Sequence, residues 1–299
     1  IDDNPELGGH ALHSILPVEN CVNSVLNGIP ENKAVQKLIE ELAEHPNLEV
    51  MVNTSVFGLY EDNLVAAQCD ADLFKIRAES VVLAPGATDR HLVFENNDRP
   101  GILTARGVEK LIMCHAVLPG KDTVVVTTHD GGFHTALLLK GAGANVLAVV
   151  DGRESGSTGE FEEQVRNMAI PIYKGLTAHA AHGKKRINRV DVGPISGGDS
   201  HKSFNCDLLV MAVGFKPQMN LLSMGRKRPE WDTLRQILRV NNLPSGMYST
   251  GEVHGSAGLA RLYAEGLKSG QAAALGDIAP ETERTADEII MALPADIES

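Results

Sequence analysis

Apolar residues recur along the chain at spacings that predict alternating helices and strands. Between Lys33 and Glu44 they fall three or four residues apart, and Pro46–Asn47 would end such a helix. The next apolar run, 48–52, predicts a strand. Three further runs, separated by turns rich in Asp, Glu and Asn, predict a β-meander over 56–60, 64–69 and 73–77.

The segment Ser80–Thr88, with the sequence SVVLAPGAT, is apolar along its strand until a Pro-Gly turn stops it. Continuous apolar character is typical of a parallel strand that is buried on both faces, and ligands bind at the carboxyl ends of such strands. We therefore expect the turn from Ala84 to Ala87 to face a ligand.

A βαβ unit of about 30 residues is predicted after Lys121. Its strands are 124–128 and 145–150, its helix is 133–140, and Asp151 stands at the end of the second strand. A small inserted domain would be completed by a helix over 159–168 and by short strands through 172, over 187–192 and over 208–212.

The last third of the chain carries a strand that ends in Gly251–Glu252, followed by a segment rich in Gly and Ala from Gly258 to Ala274. A helix of small residues lets a ligand approach the backbone, and its first amide groups attract an anion. The alternative is a helix packed tightly in the core. Together with the turn at 84–87, the pattern favours the ligand.

The chain opens on IDDNPELGG, an acidic strand end followed by a Gly-Gly turn. In a dinucleotide-binding Rossmann unit, an acid binds the ribose hydroxyls about 20 residues after a G-x-G-x-x-G turn. Asp2 or Asp3 would be this acid, and we expect a segment with the glycines to precede Ile1. The alternative is a chance acidic start before a Gly-Gly turn.

Composition predicts a globular protein and excludes some partners. The chain has 299 residues, of which 43% are hydrophobic and 22% charged, and its net charge is -12. Nucleic-acid binding needs clustered cations, and the single basic cluster, 184–186, is interpreted as a solvated hairpin turn. No apolar run approaches the length of a membrane span, so we expect no membrane contact and a soluble, cytoplasmic protein.

Cysteine and histidine spacing identifies no catalytic residue and no metal site. The cysteines form no C-x-x-C pair, which excludes the dithiol relay of disulfide reductases and predicts buried thiols. His179 and His182 lie in a predicted strand, where their spacing turns them to opposite faces. His254 is either a ligand contact or a residue of a surface turn. The four cysteines are Cys21, Cys69, Cys114 and Cys206.

The order of the motifs LGG, meander, APGAT, inserted βαβ domain, GFKP and TGE resembles that of the two-dinucleotide-domain flavoprotein oxidoreductases, over residues 1–276. More narrowly, NNDRPGI at 96–102 and TTHD at 127–130 resemble the α subunit of heterotetrameric sarcosine oxidase and its relatives. These relatives include the flavoprotein subunits of opine, hydroxyproline and dye-linked proline dehydrogenases and of hydrogen cyanide synthase.

The resemblance implies an α/β fold. Its first part is a Rossmann-like FAD/NAD(P)-binding domain with the three-layer ββα architecture, at 1–118 plus 241–299, and a second Rossmann-like domain is inserted at 119–240. It implies NAD or FAD in the first domain and an additional FMN at a subunit interface. The amine, for example sarcosine undergoing oxidative demethylation, would be oxidised in a partner β subunit that carries FAD, and small subunits would complete the assembly.

In the first domain, Asp2 or, as second choice, Asp3 would bind the ribose. Gly8 and Gly9 would form the adjoining turn, and the Val56 backbone would lie near the adenine. The pyrophosphate side would be lined by Ala84, Pro85, Gly86 and Ala87.

At the other end of this site, Gly251 and Glu252 would face the ribityl chain or the second ribose, and Gly258 and Leu259 would start the helix. Glu252 replaces the Asp that is usual at this position in FAD-binding relatives. This replacement favours NAD over FAD.

The inserted domain departs from the nucleotide-binding pattern. Thr128, Asp130 and Phe133 occupy the positions of the three fingerprint glycines. A Cβ atom at the position of close approach blocks the pyrophosphate, and a carboxylate repels it. We therefore predict that this domain is a scaffold without its own NADH. The alternative is a shifted loop that uses Gly131 and Gly132.

Three functions remain open at this point. The first is an oxidoreductase subunit of the sarcosine oxidase kind. The second is a self-sufficient flavin-dependent NAD(P)H oxidoreductase, and the third is a scaffold subunit without catalysis.

Overall fold

In the computed structural model, the chain forms two compact units. The structure describes residues 1–154, 159–199, 202–224, 228–233 and 236–276. Unit 1 comprises Ile1–Thr88 and the described residues from Lys216 onward, and unit 2 comprises Asp89–Phe215.

The helices and strands, in chain order, are α1 (Glu31–Ala43), β1 (Ser55–Tyr60), β2 (Leu64–Cys69), β3 (Asp72–Arg77), β4 (Val81–Leu83), β5 (Ala87–Asp89), β6 (Ile102–Thr104), α2 (Ala105–His115), β7 (Asp122–Thr127), α3 (Gly131–Gly141), β8 (Asn145–Asp151), α4 (Glu160–Asn167), β9 (Ile172–Lys174), β10 (Leu176–His182), β11 (Arg189–Pro194), β12 (Lys202–Phe204), β13 (Leu208–Ala212), β14 (Phe215–Pro217), α5 (Asn220–Met224), β15 (Glu230–Asp232), β16 (Ile237–Arg239), β17 (Met247–Ser249) and α6 (Leu259–Leu275). Short 3-10 helices cover Gly9–His13, Ser24–Leu26 and Gly251–His254.

In unit 1, the meander β1–β2–β3 is antiparallel, as predicted, and β17 pairs in parallel with β4. The predicted strand at 48–52 is not formed. Instead, this segment lies against the N-terminus, where Asp2 N–H donates to Met51 O at 2.8 Å. Thr54 N–H donates in turn to Asp2 O at 2.9 Å. The N-terminal residues are thus fixed beside the start of β1.

Unit 2 is a three-layer ββα structure. Its middle layer is a parallel sheet in the order β6-β13-β7-β8-β9. One face, represented by Val125, packs against helices through the fully buried Phe133. The other face, represented by Val124, packs against the antiparallel sheet β10–β11–β12 through Val190. Alternate residues of β7 therefore serve opposite layers.

The boundaries of the two units differ from those predicted from the sequence. The chain passes between the units at 88/89 and 215/216, earlier in both cases than the predicted 118/119 and 240/241. Strand β6 pairs with β13, and Ala105 and Val108 of α2 pack in the core of unit 2. Conversely, Met219 and Leu222 pack in the core of unit 1 with Leu83. Helix α2 itself was not predicted.

Within the residues that the structure describes, no helix is both long and apolar enough to cross a bilayer.

Candidate functional site

Strands β4 and β17 bring two of the predicted ligand segments to one edge of unit 1. The strands run parallel, with Leu83 opposite Ser249. Thr250 N–H continues the ladder by donating to Leu83 O at 3.0 Å. Because both strands end together, the turn at 84–87 and the residues 251–252 leave the sheet side by side.

The Glu252 carboxylate lies where three predicted segments meet. Its side chain is buried, and Oε1 lies 3.3 Å from Nε2 of His10, which directly follows the Gly8–Gly9 turn. A Cβ atom on Gly86 would lie 3.7 Å from Glu252 Oε2. The structure therefore brings together the Gly-Gly turn, the 84–87 turn and the carboxylate after β17.

The first glycine of the Gly8–Gly9 turn is required by geometry. Gly8 has a φ of +113°, and a Cβ atom there would lie 2.9 Å from Leu12 Cγ. Gly9 has a φ of +56°, and its Cβ position has no neighbour within 4 Å. Bare backbone that faces open space allows the close approach that a nucleotide phosphate needs.

Replacing Gly8 by Ala should lower the free energy of unfolding by about 1–3 kcal/mol, because Ala is strained at this φ and contacts Leu12. The matched control, Gly9→Ala, should cost about 1 kcal/mol, since only the left-handed backbone is unfavourable there. Urea unfolding measures both changes. A Gly8→Ala chain at least as stable as the control would contradict this account.

The two candidate acids at the N-terminus have different surroundings. Asp2 Oδ1 accepts hydrogen bonds from Asn4 N–H at 2.9 Å and from Asn4 Nδ2 at 3.0 Å. Asp3 is exposed and accepts a bond from Asn4 Nδ2 at 3.0 Å. The Asp2 carboxylate thus stabilises its own turn, and the geometry favours Asp3, the second choice of the sequence analysis, for contact with a ligand.

A pocket with a volume of about 340 Å³ opens beside Asp3. Two more of the predicted site residues, Val56 and Pro85, line it. The pocket combines apolar walls with a carboxylate and two side-chain amides, which suits a flat base with polar edges joined to a sugar diol. The other lining residues are Phe57, Gln218, Asn220, Leu221 and Met224.

Those five lining residues were missed by the sequence analysis. Phe57 directly follows Val56, and the other four come just after the motif GFKP. Gln218 N–H donates to Gly86 O at 3.0 Å, which fixes the returning chain against the predicted turn. The position of these four residues directly after GFKP was the only sequence feature that could have indicated their place in the pocket.

Carboxylates of the chain already bind the amide at the start of helix α6 and the amide of Gly251. Leu259 N–H donates to Glu31 Oε1 at 2.7 Å, and the Glu31 side chain is buried. Gly251 N–H donates to Glu265 Oε2 at 3.3 Å. Gly258, at the cap, has a φ of +82° and open space beside it. An anion that used the Leu259 amide would first have to displace Glu31.

The histidines singled out by the sequence make local contacts. His179 Nε2 lies 3.0 Å from a backbone carbonyl oxygen, and His182 Nε2 lies 2.6 Å from Asp191 Oδ2. His254 Nε2 lies 3.1 Å from Ser249 Oγ, close to the end of β17. Across the described ranges, no group of three or more His, Cys, Asp or Glu side chains has the arrangement of a metal site.

No cysteine forms a disulfide within the described residues, and the prediction of buried thiols is confirmed for only two of the four. Cys21 and Cys206 are buried, Cys69 is half-buried and Cys114 is exposed. Burial, reinforced by the nearby Asp207, raises the pKa of Cys206 to about 12. This thiol is therefore protonated and unreactive at neutral pH.

The model of the pyridine nucleotide-disulphide oxidoreductase family matches residues 10–262. The chain belongs to this family. Membership agrees with the α/β architecture and with the parallel pairing of β4 and β17.

Among curated proteins, the chain is similar to subunit alpha of sarcosine oxidase. It is 28% identical to that of Rhizobium meliloti (strain 1021) over 247 residues, which cover 78% of this chain and 24% of the relative. It is 28% identical to that of Corynebacterium sp. (strain P-1) over 293 residues, which cover 92% and 29%. The chain thus spans less than a third of the length of these relatives.

Solved structures confirm the predicted fold class. L-proline dehydrogenase from P. horikoshii aligns with a TM-score of 0.67 and 20% identity, over 93% of this chain and 51% of that one. Thioredoxin reductase from Lactococcus lactis aligns with a TM-score of 0.70 and 18% identity, over 90% and 87%. These likenesses establish a Rossmann-like fold.

Proposed function

We propose that unit 1 binds an adenine dinucleotide and that the chain is the dinucleotide-binding subunit of a multi-subunit amine or imino-acid oxidoreductase of the sarcosine oxidase kind. The observation that carries this proposal is the pocket formed by Asp3, Val56 and Pro85. The Glu252 carboxylate lies against Gly86, beside that pocket wall, and the Gly9 backbone faces open space.

Each part of the site has a role in nucleotide binding. Asp3 accepts hydrogen bonds from the ribose hydroxyls, as the acid of a Rossmann unit does. The base lies along the Val56 backbone, in the pocket that Phe57 and Met224 also line. The pyrophosphate passes the bare backbone of Gly9.

NAD fits this site better than FAD. The group that would face a ribityl chain, Glu252, is buried and engaged with His10. The amide at the start of α6 is engaged with Glu31. A dinucleotide whose second half makes few contacts at this end suits these arrangements, whereas FAD would have to displace them.

Substrate oxidation is assigned to a partner. The curated relatives are themselves subunits, by name, of sarcosine oxidase. In this proposal a β subunit with FAD oxidises the amine, FMN lies at a subunit interface, and small subunits complete the assembly. A bound flavin would supply the electron-accepting chemistry, and this chain would bind and orient its nucleotide.

The decisive experiment is to purify the protein with its native partners, denature it, and identify the released nucleotide by absorbance and mass. NAD in equimolar amount with this chain supports the proposal as stated. FAD supports the dinucleotide site and overturns the choice of NAD. Absence of both nucleotides overturns the proposal in favour of a scaffold subunit.

Asp3→Asn should weaken nucleotide binding about 10- to 100-fold, because a hydrogen bond to a charged group contributes about 1.5–3 kcal/mol. Asp2→Asn is the matched control, and its side-chain oxygen still accepts from Asn4 N–H. Isothermal titration of NAD into the nucleotide-stripped assembly measures both. Equal losses in the two variants, or a greater loss in Asp2→Asn, would show that Asp3 is not the ribose ligand.

A further inference from the structure

Unit 2 has the βαβ geometry of a nucleotide-binding domain, and the family name implies a pyridine nucleotide there. Such a site needs three things: an open turn after the first strand, free amides at the helix start, and an accessible acid after the second strand. The corresponding parts of this chain are the turn at 128–130, the start of α3 and Asp151.

The turn after β7 is closed by its own side chains. Thr127 Oγ1 donates to His129 O at 2.7 Å or to Ala212 O at 3.0 Å, and His129 N–H donates to Thr127 Oγ1 at 3.2 Å. A Cβ atom on Gly132 would lie 2.2 Å from Thr127 Oγ1, so Gly132 serves the packing of α3 on β7. Gly132 therefore allows α3 to pack closely on β7 and does not form a phosphate-binding turn.

The first amides of α3 already have acceptors. Gly131 N–H donates to His129 Nδ1 at 3.1 Å, and Gly132 N–H donates to His129 O at 3.2 Å. Phe133 N–H donates to Asp130 O at 3.0 Å. The buried His129 imidazole thus takes the place that a phosphate occupies at the helix start of a nucleotide-binding domain.

Arg153 lies at the end of β8, where the ribose would bind in a nucleotide-binding domain. Its guanidinium bonds to Asp151 through Nε at 3.0 Å and Nη2 at 3.0 Å, and its Nη1 lies 2.9 Å from Asp130 Oδ1. The Asp151 side chain is fully buried, and Lys174 Nζ lies 3.6 Å from it. The hydrogen bonds to Asp151 and Asp130 outweigh the effect of burial and hold the pKa of Arg153 above its usual value, so this cation is permanent.

We propose that unit 2 is closed to NADH and NADPH by an internal plug, consisting of His129, Asp130, Asp151 and Arg153, and that no hydride enters the chain through this unit. The plug engages the first amide of α3 through His129 and the Asp151 carboxylate through Arg153. A nucleotide would have to break the Arg153 bridge and displace a buried imidazole before it gained any contact. This inference does not depend on which nucleotide unit 1 holds.

The plug also restricts the direction of electron flow. With the second nucleotide site closed, reduced pyridine nucleotide cannot be the reductant at unit 2. In the proposed assembly, a substrate that is oxidised on another polypeptide supplies the electrons. The plug therefore separates this chain from reductases that share its architecture.

The test is hydrogen exchange followed by mass spectrometry on the purified holoenzyme, with and without NADH at about 1 mM, a concentration that detects even binding of about -4 kcal/mol. NADPH is tested in the same way. We expect no added protection in peptides that cover 122–154. Protection confined to unit 1, near 1–10 and 251–259, is consistent with the plug and reports on the first site.

Two variants sharpen the result. Arg153→Met opens the ribose end while His129 still caps α3, and we expect it to remain without NADH protection in unit 2. Asp3→Asn, in unit 1, identifies any signal that originates at the first site. NADH protection of 127–135 in the wild-type chain that persists in Asp3→Asn would overturn the proposal. Absence of the nucleotide from unit 1 would overturn the proposed function and leave the plug standing.

Discussion

Lowering the pH from about 6.5 to about 4 should destabilise unit 2 by about 3 kcal/mol through His129 alone. Burial, with a smaller contribution from Arg153, lowers the pKa of His129 from 6.5 to about 4. Asp130 acts in the opposite direction, Arg106 adds to the lowering, and Glu109 opposes it. The folded imidazole is therefore neutral at pH values where the unfolded one is protonated.

The sign of this effect follows from proton binding. Between about pH 6.5 and 4 the unfolded state binds a proton at His129 that the folded state does not, so stability falls as the pH falls. The contribution is fully present above pH 6.5 and is lost as the pH falls towards 4. Protonation of Nδ1 would also break its bond from Gly131 N–H, which lies 3.1 Å away.

The measurement is native-state hydrogen exchange at the amides of β7 and β8, from pH 7 to 4, on the wild type and on His129→Asn. Asn offers a side-chain oxygen to the Gly131 amide and does not titrate in this range. Other groups titrate alike in both chains, so the difference between the two isolates His129. Equal pH dependence in wild type and variant would contradict a buried, neutral imidazole.

Helices and strands could be predicted from the sequence where the local hydrophobic pattern agrees with the pairing in the folded chain. Strands 64–69 and 208–212 have the observed bounds of β2 and β13, because each is a compact apolar run. The segment 48–52 has the same apolar character. It instead makes irregular bonds with the N-terminus, a partner that no local pattern reveals.

The bounds of unit 2 could not be predicted from local sequence, because they depend on pairing between distant strands. Ile102–Thr104 joins unit 2 because it pairs with Leu209–Met211, far along the chain. The helix that follows, α2, buries only two of its eleven residues fully, Ala105 and Val108. Its apolar residues Val108, Leu111 and Ile112 nevertheless lie at helical spacing, so the signal was present in the sequence and was missed.

The candidate site was predictable in outline but not in its choice of side chains. The convergence of the 84–87 turn with 251–252 follows from parallel pairing of β4 with β17. The preference for Asp3 over Asp2 depends on the hydrogen bonds of Asn4, which fix one carboxylate and leave the other at the pocket. Four further residues reach the pocket only through the return of the chain into unit 1, namely Gln218, Asn220, Leu221 and Met224.

Removing the Arg153 side chain should have the largest effect of any single substitution considered. Asp151 is fully buried, and its remaining cation, Lys174, lies 3.6 Å away and also contacts Glu162 at 2.7 Å. Breaking a buried ion pair by removing one partner costs about 3–5 kcal/mol, because the other charge is left uncompensated. We expect Arg153→Met to lower the free energy of unfolding by about 3 kcal/mol, because Lys174 compensates in part for the lost charge.

A double-mutant cycle separates the pair from the rest of the fold. Asp151→Asn in the Arg153→Met background removes the stranded charge, so the double variant should be more stable than Arg153→Met alone. Urea unfolding of the four chains gives the coupling free energy, which we expect at about 2 kcal/mol or more. Additive losses would mean that Arg153 and Asp151 do not act as a unit. The bridge between Arg153 and Asp151 would then contribute no stability to the plug in unit 2.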